Sequence, residues 1–476
     1  MDHTSDTGSR MKPFSAQEAR EIVLGLDRPA VFLNMAQDWP ASRWDVARLS
    51  DLLQDKSLRF RIGKRRIDPE PQFETECHYI DGTVGQFQSW IGGESSERCG
   101  AFGGFDRAEF WAYADYKYLA VLFKDRPEIL QDVLWEDFGF PGRGGRESTL
   151  WVGSRGANTP CHIDSYGCNL VLQVEGRKKW HLFPPEDSDH LYPTRIPYEE
   201  SSIFSRVHVV NPNRSRYPSF CNAHPHVVTL HPGQVLFVPR HWWHYVESVD
   251  DVTVSVNSWI ELDSDDEARV EEAITRIVVC AFKSADPSVH PNDWLNPTEG
   301  AATSHGTNLD YLNRACTAYL ERKRATGDGD APPLKKRRAD GSSELIGSRF
   351  GQYLLPVLPA SGEEDARGKA ETQGKEDVRG KVETQGKEDA RGKAETRGKE
   401  DTRGKAKTQG KEDARGKAET RGKEDETGKA ETQGKEDARE ASPGADAITS
   451  DVVLDCLVNP RVVRLVAQLL LTRPSR

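Results

Sequence analysis

Between Leu150 and Trp259 the chain is written in short apolar and β-branched runs, and this pattern limits its fold more than any other feature. Residues 150–153, 169–174, 179–183, 227–230, 234–238, 245–247 and 253–259 each read as one strand. Gly176, Pro184-Pro185 and Pro232-Gly233 separate several of them. Proline cannot donate to a ladder and glycine admits turn conformations, so the strands have to be short and turn often. Many short strands with such punctuation build a sandwich or a jelly roll. The expected class is α+β, mainly β.

Ahead of this core, residues 1–14 are polar and predicted to be disordered. Residues 15–117 are predicted to form an α/β part of the same fold. Ser15 and Glu18 make a capping box for a helix over 16–26, residues 29–33 read as a strand, and Leu49, Leu52 and Leu53 share one side of a helix over 44–53. Residues 57–62 alternate and predict a strand with one polar face. Residues 105–123 are aromatic-dense and mix helix with strand. Beyond the core, Ser264 and Glu267 open a helix with a stripe of Val270, Ile274, Ile277, Val278 and Ala281, and a second helix is expected over 309–320. These helices, within 263–325, are expected to pack on the core or on a subunit partner.

The last third is different. Residues 326–449 are predicted to be a disordered linker. Within 362–438 a twelve-residue unit typified by Gly374-Lys-Glu-Asp-Val-Arg-Gly-Lys-Val-Glu-Thr-Gln385 recurs, with glycine every six residues. Such a unit buries too little apolar surface to offset chain entropy, which makes it a charged, sign-balanced spacer. Residues 450–476 are again apolar. Ser450-Asp451 and Asn459-Pro460 read as helix starts, and Val463, Val466, Ala467 and Leu470 share a face. Two short amphipathic helices on a long tether are expected to dock on the body, on a second copy in a homodimer, or on a partner.

The net charge of −11 argues against direct nucleic-acid binding, which needs a positive face. The eight cysteines are scattered without a Cys-x-x-Cys pair, so no zinc ribbon or redox motif is expected. No apolar run approaches the roughly 18 residues of a spanning helix, and no membrane role is expected. The polar start of the chain and the free thiols predict a reducing, cytoplasmic setting. Arg322-Lys-Arg324 and Lys335-Lys-Arg-Arg338 resemble a two-part nuclear import signal, which makes the nucleus the alternative.

Chemistry centres on Cys161-His162-Ile163-Asp164. Residues two apart share one face of a strand, so His162 and Asp164 can offer an imidazole nitrogen and a carboxylate oxygen to one metal. Eighty residues on, a turn and an apolar strand lead to Trp242-Trp243-His244. His162, Asp164 and His244 would complete the two-histidine, one-carboxylate facial triad that leaves half the sphere of Fe(II) open. The bland reading of His162 and Asp164 is a hydrogen-bonded pair at a strand end. Lys178 lies in a basic triplet that reads as solvated surface, yet alternation sends Arg177 and Lys179 outward and Lys178 inward. His241, three before His244, is the competing histidine.

Residues from about 118 to 262 resemble a JmjC domain of the asparaginyl-hydroxylase-like subgroup. The resemblance is carried by Tyr118-Leu119, Thr159-Pro-Cys-His-Ile-Asp164, Asn169, Gly176-Arg-Lys178, Leu182-Phe-Pro-Pro185, Pro232-Gly-Gln-Val-Leu-Phe-Val-Pro239, Trp242-Trp-His244 and Asn257-Ser-Trp259. It implies a double-stranded β-helix, the cupin-like jelly roll of JmjC proteins, with Fe(II) on His162, Asp164 and His244. It implies 2-oxoglutarate as cosubstrate, anchored on Lys178 with help from Thr159 and Tyr118, with Asn169 and Asn257 nearby. It further implies a protein substrate and, through a narrower subgroup within the family, association with a small heat shock protein. Two readings follow: an Fe(II)/2-oxoglutarate dioxygenase hydroxylating a protein side chain, or a JmjC-shaped binding protein of the stress response with little catalysis.

Overall fold

The short strands sort into two antiparallel sheets. In the computed structural model, which describes residues 12–65, 68–285, 288–325, 350–360 and 449–473, one sheet has nine strands in the order Leu354–Pro356, Ala30–Phe32, Val235–Val238, Cys168–Glu175, Val252–Ile260, Thr149–Ser154, Phe110–Tyr118, Leu58–Lys64 and His78–Gly82. The other has six, in the order His226–Leu230, Lys178–Phe183, Trp243–Ser248, Asn158–Asp164, Ser202–Ser205 and Pro193–Glu199. Val171, Leu236 and Val238 of the first pack with Trp180, Leu182 and Val246 of the second, so these faces meet. The outer face of the six-stranded sheet is covered too: Cys161, Ile163, Phe183 and Trp243 lie under Leu191 and Val209. The outer face of the larger sheet carries the main core, which gathers Ile22, Trp39, Leu49, Phe60, Trp135 and Leu170. The expected jelly roll is therefore present. Each sheet is apolar where it is covered, which is why the core strands read as near-continuous apolar runs.

The N-terminal part belongs to the same sheet. Helix Ala16–Gly25 starts at the expected Ser15–Glu18 capping box, and helix Val46–Leu53 is capped by Asp45. Its strands Leu58–Lys64 and Phe110–Tyr118 extend the nine-stranded sheet, so the expected boundary at 117/118 falls inside a strand. Residues 12–14, expected to be disordered, are packed: Lys12 bonds Asp137 and the Met35 carbonyl, and Phe14 lies edge-on to Phe32. The polar face expected over 57–62 is half wrong. Arg59 is outward, but Arg61 is fully buried, with its Nε donating to Asp115 at 2.7 Å. Alternation gives the face, and the buried carboxylate partner overrides the polarity rule.

Sequence reasoning missed four strands: His78–Gly82, Pro193–Glu199, Ser202–Ser205 and Leu354–Pro356. Pro193–Glu199 and Ser202–Ser205 are broken by proline and polar residues. Leu354–Pro356 lies in the expected linker, which the structure corrects at 350–360: this strand pairs with Ala30–Phe32 at the sheet edge. The repeats of 362–438 and Lys335–Arg338 lie outside the described residues; Arg322 pairs with Asp263 and Asp266.

Helix Asp265–Ser284 buries Val270 and Ile274 against Val463 and Ala467, and Val279 and Cys280 against Tyr198, Trp294 and Leu454. Ala281, expected on its stripe, is exposed, because the helix is covered on two sides rather than one. The neighbouring helices are Ser450–Leu457, capped by Thr449 rather than Ser450, and Pro460–Leu471, capped by Asn459 with proline at the first turn. Lys283–Asp451, Arg206–Asp455 and Arg464–Glu271 ion pairs ring this contact. Of the three destinations weighed for the terminal helices, the described residues show the body. No helix among them is long and apolar enough to cross a membrane.

Candidate metal centre

Strands Asn158–Asp164 and Trp243–Ser248 pair so that His162 stands opposite His244. Their rings lie 4.1 Å apart, centroid to centroid. Asp164 Oδ1 is 3.6 Å from His162 Nε2, and Asp164 Oδ2 is 3.8 Å from His244 Nε2. Among the described residues this is the one group of three such side chains placed to hold a metal ion, its ligand atoms all within 4.8 Å of one another. His162 Nδ1 lies 2.9 Å from the Pro160 carbonyl and His244 Nδ1 lies 3.0 Å from the Trp242 carbonyl. A carbonyl only accepts, so Nδ1 carries the proton in both rings and both Nε2 lone pairs face the shared space. Burial, and then the neighbouring His244, push the His162 pKa down to about 4, which keeps it neutral. The donor set fits a divalent transition metal. Two neutral imidazoles and one carboxylate on one side match the facial arrangement. His241, the competitor, has φ 64° and lies in the groove under the terminal helices, away from the pair.

His162 and His244 open on a cavity of about 420 Å³ between the sheets, lined by Tyr113, Thr159, Asn169, Lys178, Ser255 and Asn257 among others. Lys178 is buried, while Arg177 is exposed and pairs with Asp250. The Lys178 Nζ donates to Ser255 Oγ at 2.8 Å and to the Tyr113 hydroxyl at 3.2 Å. No carboxylate pairs with it among the described residues. Burial lowers its pKa to about 7, against the opposing field of Asp115. On its strand Lys178 lies four residues from Leu182, the partner of His244. That is roughly 13 Å along the backbone, so cation and triad occupy opposite ends of the cavity.

Two bulges decide which side chains enter. Thr159 and His162 both face the cavity although three residues apart, because the strand carries an extra residue opposite His244–Val246. The second bulge lies between Ala114 and Lys117, where Tyr116 has φ 52°. It sends Tyr113 and Tyr116 inward and leaves Tyr118, the expected cosubstrate contact, 55% exposed and outside this cavity. Tyr113, not Tyr118, lines this cavity beside Lys178. Nothing in Tyr113-Ala-Asp-Tyr116-Lys-Tyr118 marks the bulge in advance. Ser255, also missed, was findable, since it lies two residues before Asn257 on the same strand face. Asn257 is held from both sides: Trp151 Nε1 donates to its Oδ1 at 2.8 Å, and its Nδ2 donates to Asn169 Oδ1 at 2.9 Å.

A second cavity of about 1470 Å³ shares Asp164, Tyr116 and Trp259 with the surroundings of the triad. Its walls include Asp115, Glu199, Glu200 and Glu299, with Arg59, Lys117 and Arg269.

Residues 15–266 match the model of a cupin-like domain. The chain belongs to this cupin-like JmjC family. Within it, the chain is 46% identical to HSPB1-associated protein 1 of Rattus norvegicus, over 99% of this chain and 96% of that protein. It is 56% identical to HSPB1-associated protein 1 of Homo sapiens, over 71% of this chain and 68% of that one. A more distant cupin-like relative is lysine-specific demethylase 8 of Xenopus tropicalis, 27% identical over 52% of this chain and 51% of that protein. Cupin-like domains of the JmjC type generally bind Fe(II) and 2-oxoglutarate.

Proposed function

We propose that the chain is an Fe(II)- and 2-oxoglutarate-dependent oxygenase that hydroxylates a protein side chain. The observation that carries this reading is a three-ligand metal set whose two histidines line the same cavity as a buried lysine that has no carboxylate partner among the described residues. His162, Asp164 and His244 would hold the metal, and Lys178, with the Tyr113 hydroxyl and Ser255 beside it, would hold the far carboxylate of the cosubstrate. Fe(II) with 2-oxoglutarate supplies oxygen activation coupled to oxidative decarboxylation, one oxygen atom going to succinate and the other to the substrate.

The protein's own part is positional. The two backbone carbonyls fix the imidazole tautomers. Trp151, Asn257 and Asn169 form a chained set of hydrogen bonds along one wall, which holds that wall rigid. Lys178 is itself buried, so its charge is less screened than at the surface. The larger cavity beside Asp164 gives a peptide side chain its way in, at the end of the triad away from Lys178. Anaerobic loading with Fe(II), then O₂ and 2-oxoglutarate, should yield succinate from the wild type and none from His162→Ala. Wild type that takes up neither metal nor 2-oxoglutarate would defeat this reading.

The second reading, a binding protein associated with a small heat shock protein, is favoured by the name of the relatives at 46–56% identity. It is tested by the affinity of purified chain for a purified small heat shock protein. Equal affinity in wild type and His162→Ala would make association independent of the metal centre, and no association in either would remove it.

A further inference from the structure

We infer that Trp259 is a positioning residue for the metal centre, restricting Asp164 to ligation through one oxygen. The inference rests on the metal reading above. Its indole Nε1 donates to Asp164 Oδ2 at 2.9 Å. Among the described residues this is the carboxylate's one hydrogen bond, and it leaves Oδ1, 3.6 Å from His162 Nε2, as the oxygen free to ligate. The aspartate needs such a restraint more than the histidines do. It ends its strand, and its side chain is 21% exposed, whereas both imidazoles are buried and pinned by carbonyls at Nδ1.

An aspartate beside a hard cation can bind through one oxygen or both. Chelation by both would close one of the three positions that a facial triad leaves open. A cosubstrate that binds through two atoms then has no free neighbour beside it. The indole occupies Oδ2 and so keeps that position open. Its own placement is fixed. Trp259 stands opposite Asn169 in the sheet, and its ring meets Trp151 edge-on at 6.4 Å. Trp151 in turn is tied to Asn257. Each of the three ligands thus has one orienting partner: a carbonyl, a carbonyl and an indole. Such partners set metal affinity by about 10–100-fold.

The test is Trp259→Phe, which keeps an apolar ring and removes the N–H, read with Co(II) as the metal. The expected result has three parts. The unfolding midpoint of the metal-free chain stays close to wild type, Co(II) affinity falls about 10–100-fold, and the visible absorption band of bound Co(II) changes as the coordination number rises. Co(II) affinity and band equal to wild type would overturn the inference. So would a lowered metal-free midpoint with an unchanged rise on adding Co(II), since that is the mark of ring packing alone. If the Phe variant does not fold, Trp259→Gln, which keeps an N–H donor, decides. Affinity within a few-fold of wild type supports the hydrogen bond, and a folded Gln variant weaker by about tenfold or more overturns it. Wild type that takes up no Co(II) would instead defeat the metal reading itself, and this inference with it.

Discussion

Arg61 and Lys178 are both buried cations, and both lie against Tyr113, at 5.7 and 5.1 Å from its ring. Their surroundings differ in one respect. Arg61 has Asp115 at 2.7 Å and Glu74 at 3.9 Å, and its Nη2 donates to the Asn158 carbonyl. Burial works against its charge, but the two carboxylates outweigh that and hold its pKa well above the ordinary value. Lys178 has only hydroxyls, and burial brings its pKa down to about 7. Arg61 receives its counter-ions from the fold. Lys178 is built to receive one from outside, and the difference separates a structural cation from a binding one.

The largest expected effect is on stability. Arg61→Met leaves Asp115 and Glu74 buried without their partner and should cost about 3–5 kcal/mol in urea unfolding. Lys178→Met removes a charge that has no partner to lose, so its stability should equal or exceed wild type. Comparable losses in the two variants would erase the comparison.

Binding should reverse the order. Lys178→Met should weaken 2-oxoglutarate, measured by calorimetry on metal-loaded protein, by roughly 30-fold or more, since truncating one side of a buried charge pair costs about 2 kcal/mol or above. Metal content should not change.

A third effect is pH dependence. The folded pKa of Lys178 lies below its unfolded value of about 10.4, so the folded state sheds the proton first. Stability of the ligand-free wild type relative to Lys178→Met should therefore be lowest below pH about 7 and rise as pH climbs towards 10.4. The anion requires the protonated lysine, so its dissociation constant should rise by up to about tenfold per pH unit above about 7. A flat profile from pH 6 to 9 would mean that Lys178 is not the anchor.

The smallest effect sharpens the choice between tyrosines. Tyr113→Phe removes a hydroxyl that meets Lys178 and should weaken 2-oxoglutarate by roughly 2–10-fold, the worth of one hydrogen bond. Tyr118→Phe should change it by less than about 2-fold, because exposed groups of this kind contribute little.

The jelly roll was legible because alternation, punctuation and strand length all point one way between residues 150 and 259. The triad was legible because His162 and Asp164 share a strand face and the Trp242-Trp243-His244 wording is distinctive. Lys178 was legible by parity against Arg177 and Lys179. Parity then failed where a bulge added a residue: Tyr118 was expected and Tyr113 stands in the cavity. At Arg61 parity held and the polarity rule failed, because a carboxylate 54 residues away decides burial. Leu354–Pro356 was hidden because three residues in a short apolar run cut by Pro356 and Pro359 carry no period, and only the edge of Ala30–Phe32 makes them a strand. Local pattern reads local geometry. Bulges and long-range ion pairs are set by tertiary contacts that no window of sequence contains.

The central claim is that the counter-ion missing at Lys178 is the far carboxylate of 2-oxoglutarate, with the metal triad at the other end of the same cavity. The most direct measurement is anaerobic calorimetric titration of 2-oxoglutarate into chain loaded with Fe(II). The expected result is one 2-oxoglutarate per wild-type chain, with proton uptake at pH 8 as Lys178 is recharged, and neither binding nor uptake of that size in Lys178→Met. Equal affinity and equal proton uptake in wild type and Lys178→Met would contradict the account.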